Sequence, residues 1–78
     1  MNNIEKYNKA FIETFDVKEP ELSKLTYQSV VLWDSIGHMG LITELEEAFN
    51  IMIETDDIID FSSYKKGYEI LKKYGIDL

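Results

Sequence analysis

Few side chains in this 78-residue chain could do chemistry, and a serine and a histidine come first. The chain has one histidine, no cysteine and no glycine-rich phosphate-binding loop. Ser35 and His38 are the one nucleophile and base at contact spacing, three residues apart on one side of a predicted helix. An active serine also requires a group that orients the imidazole and donors that stabilise an oxyanion. A helix end at the surface offers neither, so we expect no catalysis and interpret His38 as a surface neighbour of Ser35.

Ser35 could instead accept a modification on its hydroxyl. It stands at the predicted N-terminus of a helix, after a long loop and directly before an acidic segment. A phosphate attached there would be stabilised by the first-turn N–H groups and the helix dipole, by about 0.3–1 kcal/mol. From position alone a simpler interpretation is favoured, because a serine at such a place is commonly just an N-cap.

The charges are unevenly distributed along the chain. There are 15 acidic residues and 8 lysines, with no arginine, for a net charge of −7. Residues 25–64 contain eight acids and no lysine, whereas the remainder contains seven acids and all eight lysines. The acids of this segment are Asp34, Glu44, Glu46, Glu47, Glu54, Asp56, Asp57 and Asp60. Nucleic acids require a basic protein surface, so this composition predicts no nucleic-acid partner.

Size and composition predict one domain over residues 1–78. The chain is 45% hydrophobic and 13% aromatic, which is too apolar for a disordered acidic tail. Without cysteine there are no disulfides, so the hydrophobic core must supply the stability. The sequence has no run of eighteen apolar residues and no targeting pattern. We therefore expect a cytoplasmic monomer that does not insert into membranes.

Apolar spacing predicts an all-α fold, a small antiparallel four-helix bundle with a long loop between helices one and two. Three helices are longer and the third is short. The predicted helices cover residues 3–15, 34–49, 56–61 and 64–74. The first repeats apolar residues at helical spacing, at Ile4, Tyr7, Phe11 and Phe15. A strand over residues 27–33 is the competing interpretation of the loop, disfavoured because no partner strand exists.

The second helix would position the candidate serine. Asp34 or Ser35 would cap its start, and Asn50 would end it. Gly37 and Gly40 are expected to weaken its first turn by roughly 0.5–1 kcal/mol each. Its predicted buried face consists of Leu41, Leu45, Ala48, Phe49 and Met52.

The remaining helices carry their own start and stop signals. Thr55 is predicted to cap the short third helix, and Ser62 or Ser63 to cap the fourth. Gly75 is predicted to end the fourth helix in a left-handed conformation, with Ile76 folding back on the helix end. The inner face of the fourth helix is predicted from Tyr64, Gly67, Tyr68, Leu71 and Tyr74.

The segment 33–49 resembles the acyl carrier protein family. In that family the attachment serine follows an aspartate and precedes an aliphatic residue, as Asp34, Ser35 and Ile36 do here. The family's second helix ends in a Leu-Glu-Glu-x-Phe run, which residues 45–49 repeat. Downstream, the third-helix region is similar at Ile51, Ile53, Asp56, Asp57, Ile58 and Phe61. The resemblance covers most of the chain, from about residue 4 to residue 75.

This resemblance implies that the chain is a carrier and not an enzyme. Ser35 would bear a 4′-phosphopantetheine arm through a phosphodiester, and an acyl or aminoacyl group would be carried as a thioester on that arm. The absence of cysteine then has a reason, because the thiol comes with the cofactor. A phosphopantetheinyl transferase with Mg²⁺ would load the arm, and an acyl-loading ligase or acyltransferase would charge it. Asp34 would cap the helix and meet a basic residue of the transferase; the chain itself would hold no metal.

The outer face of the second helix is the predicted docking face. The residues that line up there at helical spacing are Ser35, Met39, Ile42 and Glu46, flanked by Thr43 and Glu47. Met39 is the expected apolar contact, with a core methionine as the alternative. Five acids would steer basic partner surfaces towards the carrier, namely Glu46, Glu47, Asp56, Asp57 and Asp60. The alternative for each acid is a solvated surface charge.

Some residues depart from the carriers of bulk fatty-acid synthesis. Gly40 occupies a position of the second helix where many fatty-acid carriers have an acid. Trp33 and His38 flank the Asp-Ser pair, and in this the chain resembles specialised carriers of polysaccharide or secondary-metabolite pathways. The bundle core could admit a short acyl chain, but rings are expected to fill it, from Tyr7, Phe11, Phe49, Tyr64 and Tyr68. The competing functional hypothesis is an unmodified acidic helical protein-interaction module.

Overall fold

The computed structural model describes residues 1–78 and consists of helices and turns. The four α-helices are α1 (Asn3–Phe15), α2 (Ser35–Phe49), α3 (Thr55–Asp60) and α4 (Tyr64–Lys73), and a 3-10 helix (Glu19–Lys24) follows α1. The all-α prediction is confirmed. The strand considered for residues 27–33 does not form, and the nearest β-type pairing is an isolated antiparallel bridge between Thr26 and Ser63. None of the helices is both long enough and apolar enough to cross a membrane.

Helix α1 has the predicted bounds because strong local signals mark both of its ends. The Asn2 side chain accepts from the Glu5 backbone N–H, and the Glu5 carboxylate accepts in return from the Asn2 N–H. This capping box satisfies two of the N–H groups that every helix leaves unpaired. Asp16 ends the helix in a left-handed conformation, with φ of 53°.

The long connection between α1 and α2 contributes several side chains to the core. Pro20 lies in the first turn of its 3-10 helix. The N–H that proline lacks would have no partner within the helix there, so its absence costs no hydrogen bond. Leu22 and Leu25 are buried, and the Leu25 carbonyl accepts from the Tyr64 N–H at the start of α4. The segment therefore packs between α1 and α4 and carries the chain to the start of α2.

Aromatic rings fill the centre of the core. Tyr7, Phe11, Trp33 and Phe61 are each at most 1% exposed, within one cluster of 17 buried residues. The Trp33 ring stacks on Phe15 with 4.8 Å between centroids and meets Phe11 edge-on at 5.7 Å. Edge-on and offset contacts of this kind are the favoured arrangements of aromatic pairs. Of the rings expected to line the interior, Tyr64 is buried, Phe49 is half-buried and Tyr68 lies at the surface.

Most helix ends lie where the sequence predicts them. Asp34 caps α2, Asn50 ends it with φ of 53°, and Ser63 caps α4. Gly75 is left-handed with φ of 79°, and the buried Ile76 donates its N–H to the Leu71 carbonyl.

Two predictions about the connection from α2 to α3 are wrong. Thr55 is the first residue of α3, after an N-cap at Glu54 whose side chain makes no capping bond. Met52 is exposed, because the left-handed Asn50 ends the helical periodicity before Met52 can join the buried face of α2. Spacing predicts a shared face only while the helix continues.

Candidate functional site

Ser35 presents its hydroxyl at the start of α2. It is the first residue of the helix and is exposed. Capping falls to Asp34, whose carboxylate accepts from the Gly37 N–H at 2.8 Å. The Ser35 Oγ is therefore not used as a cap, and it lies 3.3 Å from the hydroxyl of Tyr27. The simpler interpretation of Ser35 as an N-cap does not describe this structure.

A surface groove of about 380 Å³ opens beside Ser35. It is formed by the first turns of α2, by α3 and by the connections on either side of them. Its lining is Tyr27, Ser35, His38, Met39, Ile58, Ile59, Phe61 and Ser62. The groove is mostly apolar with a few hydroxyl groups, which is the usual character of a small-molecule site.

His38 supports the groove and is not available as a base for Ser35. Its Nδ1 accepts from the indole N–H of Trp33 at 2.9 Å, and its Nε2 lies 2.7 Å from the Ile58 carbonyl oxygen. Because an indole nitrogen can only donate, Nδ1 is the acceptor and the imidazole proton is on Nε2, which donates to Ile58. The half-buried imidazole thus uses both nitrogens for structure. The interpretation of His38 as a surface neighbour of Ser35 is wrong.

Gly37 allows the preceding loop to approach the first turn of α2. A Cβ atom at this position would lie 1.8 Å from the carbonyl oxygen of Leu32, far inside contact distance. Gly40 has open surroundings, where a Cβ atom would meet only the Thr14 methyl at 3.8 Å. The two glycines therefore differ, and Gly37 is required by tertiary packing that its spacing in the sequence does not reveal.

Several apolar side chains around Ser35 are exposed. Met39 is 50% exposed, as the docking prediction requires, while Ile36 and Ile59 are 84% and 73% exposed. Spacing along α2 could have identified Ile36, because it lies outside the stripe of Leu41 and Leu45. The sequence offered no comparable signal for Ile59, because a six-residue helix is too short to define a face.

The acids predicted to steer partners fall into two groups. Glu47, Asp56 and Asp60 are exposed and free to face a partner. Glu46 is half-buried and accepts from the Ile53 N–H at 2.9 Å, so it closes the loop after α2. Its placement on an open outer face is wrong.

Asp57 is the clearest departure from the predicted acidic surface. It is buried, and its carboxylate accepts from the Lys73 ammonium and from the Tyr74 hydroxyl, the latter at 2.6 Å. These two hydrogen bonds lower the pKa of Asp57, and the one from Lys73 has the larger effect. Tyr74 also accepts from the Glu54 N–H, so this cluster joins α3 to α4. Asp57 has its partners within the chain.

Ile42 also lies elsewhere than predicted. It is 1% exposed and belongs to the core cluster, one turn beyond His38 on α2. Leu41, Ile42 and Leu45 are the buried residues of α2, so the buried stripe of this helix is wider than Leu41 and Leu45 alone define. Ile42 therefore supports α2 from inside and does not lie on its outer face.

The surroundings of Ser35 fit a phosphodiester. The hydroxyl is exposed at the positive end of a 15-residue helix, where an anion is favoured, and the carboxylate of the adjacent Asp34 is engaged by the Gly37 N–H. No group of three or more acidic or histidine side chains that could hold a metal ion is present.

Comparison with known proteins found no protein-family model, no curated protein and no solved structure that matches this chain.

Proposed function

We propose that this chain is a carrier protein that holds an acyl or aminoacyl group as a thioester on a 4′-phosphopantetheine arm attached to Ser35. One observation carries the proposal: the Ser35 hydroxyl is exposed at the first residue of α2, is not used for capping, and borders an apolar groove. The Asp-Ser-Ile and Leu-Glu-Glu-Ala-Phe sequences at the two ends of the same helix support it.

The fold proposed for this function is an antiparallel four-helix bundle. Helix α1 packs against α2 and against the 3-10 helix. It also contacts α4 through Tyr7, whose ring lies 5.0 Å from that of Tyr64 and whose hydroxyl donates to the Tyr64 carbonyl. Helix α3 is joined to α4 by Asp57 and to α2 by His38. These contacts hold the start of α2 on a rigid frame, which a modification site read by several enzymes requires.

The attachment reaction divides the work between two proteins. The Ser35 Oγ forms a bond to the phosphorus of the phosphopantetheine group of coenzyme A, and the bond from that phosphorus to 3′,5′-adenosine diphosphate breaks. The base that takes the hydroxyl proton must come from a phosphopantetheinyl transferase, together with its Mg²⁺, because His38 is already bonded at both nitrogens. The chain's contribution is an accessible oxygen at a fixed position.

The interior favours cargo held near the surface. Rings of Phe11, Trp33 and Phe61 occupy the centre of the core. The groove beside Ser35 remains as the place where a short acyl or aminoacyl group could rest. Together with Trp33 and His38 at the motif, this supports a specialised carrier outside bulk fatty-acid synthesis.

The proposed partners are basic enzymes of the cytoplasm, namely the transferase, an acyl-loading ligase or acyltransferase, and the enzymes that use the acyl group. Exposed Glu47, Asp56 and Asp60 would attract their surfaces and raise association rates. Met39 and Ile36 provide apolar contact area beside the attachment site. An unmodified acidic interaction module is the second candidate, favoured by the same exposed apolar side chains.

Mass spectrometry after incubation with coenzyme A, Mg²⁺ and a broad-specificity transferase separates the two candidates. The wild-type chain and Ser62→Ala should each gain one phosphopantetheine, whereas Ser35→Ala should gain none. Ser62 is the matched control because it lines the same groove. A wild-type mass that stays unchanged with several transferases would leave the interaction module as the better hypothesis.

A further inference from the structure

Tyr27 is the residue outside α2 whose side chain reaches the candidate attachment oxygen. Its hydroxyl lies 3.3 Å from the Ser35 Oγ. Resemblance to carrier proteins assigns it no role, and neither the charge pattern nor the helical spacing of the sequence singles it out. Its position is nevertheless well determined by its neighbours.

The backbone of Tyr27 is tied to the start of α4. Its N–H donates to the Ser62 carbonyl at 2.8 Å, next to the bridge between Thr26 and Ser63. The following residue, Gln28, turns the chain with φ of 68° and donates its N–H to the Trp33 carbonyl. The turn that carries Tyr27 is thereby anchored at both sides of the groove.

The ring of Tyr27 is held by two other rings. It meets His38 edge-on with 5.5 Å between centroids and Trp33 edge-on at 6.4 Å. These contacts direct the phenol towards Ser35 and leave the side chain 37% exposed. A tyrosine with a packed ring and a hydroxyl at the surface is suited to hold a polar group in place.

The present contact between the two hydroxyls is weak. At 3.3 Å it is longer than the 2.7–2.8 Å usual for O–H···O bonds. A phosphodiester on Ser35 would bring anionic oxygens within reach of the same phenol, and hydrogen bonds to ionised acceptors are shorter and roughly twice as strong. The contact would therefore strengthen on modification.

We infer that Tyr27 is a positioning residue for the modified Ser35. Its phenol donates a hydrogen bond to the phosphodiester and directs the attached end of the phosphopantetheine arm over the groove. The inference rests on the proposed function and adds a determinant of how the arm is held. It concerns the holo form, so its effect is measured on loaded protein by a property of the phosphorus itself.

The test compares loaded wild type, Tyr27→Phe and Tyr68→Phe by ³¹P NMR, with loading verified by mass. Tyr68 is the matched control because it is equally exposed, at 37%, and its hydroxyl contacts Tyr64 rather than Ser35. The ³¹P resonance of Tyr27→Phe should move towards that of urea-unfolded holo protein, while Tyr68→Phe should keep the wild-type resonance. Coincident resonances in wild type and Tyr27→Phe would overturn the inference.

A second measurement uses the wild-type chain, so it does not depend on whether a variant folds. With tyrosine labelled by ¹³C at Cζ, loading of the wild-type chain should shift the Tyr27 resonance and leave that of Tyr68 in place. An unshifted Tyr27 resonance after complete loading would reject the positioning role while leaving the carrier function intact. A wild-type chain that gains no mass would instead reject the carrier function and, with it, this inference.

Discussion

The Nε2 atom of His38 lies 2.7 Å from the carbonyl oxygen of Ile58, which joins α2 to α3 beside the groove. The other ring nitrogen accepts from Trp33, so one imidazole connects the loop before α2, the helix itself and α3. The shape of the site next to Ser35 therefore depends on a side chain that does not take part in the proposed chemistry.

Replacing His38 with alanine should destabilise the protein. The buried indole N–H of Trp33 would lose its acceptor and the Ile58 carbonyl would keep only the Phe61 N–H as donor, and an unsatisfied buried N–H group costs about 1–3 kcal/mol. Urea unfolding followed by circular dichroism should show a loss of that size for His38→Ala. Met39→Ala, at the exposed neighbouring residue, should stay within about 0.5 kcal/mol of wild type. Equal stability of His38→Ala and wild type would contradict this structural role.

Alanine should have opposite effects at the two glycines of α2. Gly37→Ala places a Cβ against the Leu32 carbonyl and should lower the free energy of unfolding by about 1–3 kcal/mol, as overpacking does. Gly40→Ala meets only ordinary contact and should raise it by about 0.5–1 kcal/mol, because alanine is the better helix former. Thermal or urea unfolding of the two variants tests the contrast; the same sign for both would refute it.

The Asp57 cluster should make stability depend on acid. Because the pKa of Asp57 is lowered in the folded state, its contribution is present above the ordinary carboxyl range and is lost as pH falls through the lowered value. Asp57→Asn should therefore unfold at lower urea concentration than wild type at neutral pH. The difference should narrow in acid. Asp56→Asn, at an exposed neighbour, is the control and should track wild type at every pH.

Two methionines near the ends of α2 should differ in their effect on loading. Met39→Ala should lower kcat/KM for the transferase by about fivefold, equivalent to about 1 kcal/mol, because Met39 lines the groove beside Ser35, the proposed attachment residue. Met52→Ala removes the same type of side chain, 85% exposed and beyond the far end of α2, and should leave loading unchanged. Similar kinetics for both variants would argue against docking at this face.

Ile42→Ala completes the comparison along α2. A buried isoleucine truncated to alanine costs about 2–5 kcal/mol, so this variant should lose stability rather than docking. Loading rates measured at a temperature where the variant remains folded should match wild type. A stable Ile42→Ala with slow loading would return Ile42 to the docking face.

Local signals explain which parts of the fold the sequence predicts. The apolar period of α1, the aspartate before α2 and the left-handed Gly75 each act within a few residues, and their predicted roles are confirmed. The order and approximate bounds of the α-helices follow from such signals. The exposed Ser35 at a helix start follows from them as well.

Contacts between distant residues explain the rest. The roles of Gly37, His38 and Asp57 depend on the loop, on α3 and on α4, whose arrangement no spacing along α2 or α3 reveals. Similarly, the residues next to Glu46 in the sequence give no sign that its carboxylate closes a loop and does not face solvent. Start signals and spacing predicted an accessible Ser35 at the start of a helix, but they could not separate outward-facing acids from those with internal partners.

The arrangement of Trp33 also gives the molecule a built-in optical probe. It is the one tryptophan of the chain, lies fully inside the core against Phe15, and donates its indole N–H to the imidazole of His38, which links α2 to α3. Its emission therefore comes from a single environment within a few residues of Ser35. Opening of the groove, binding of an enzyme or arrival of cargo can be followed in real time on unlabelled protein.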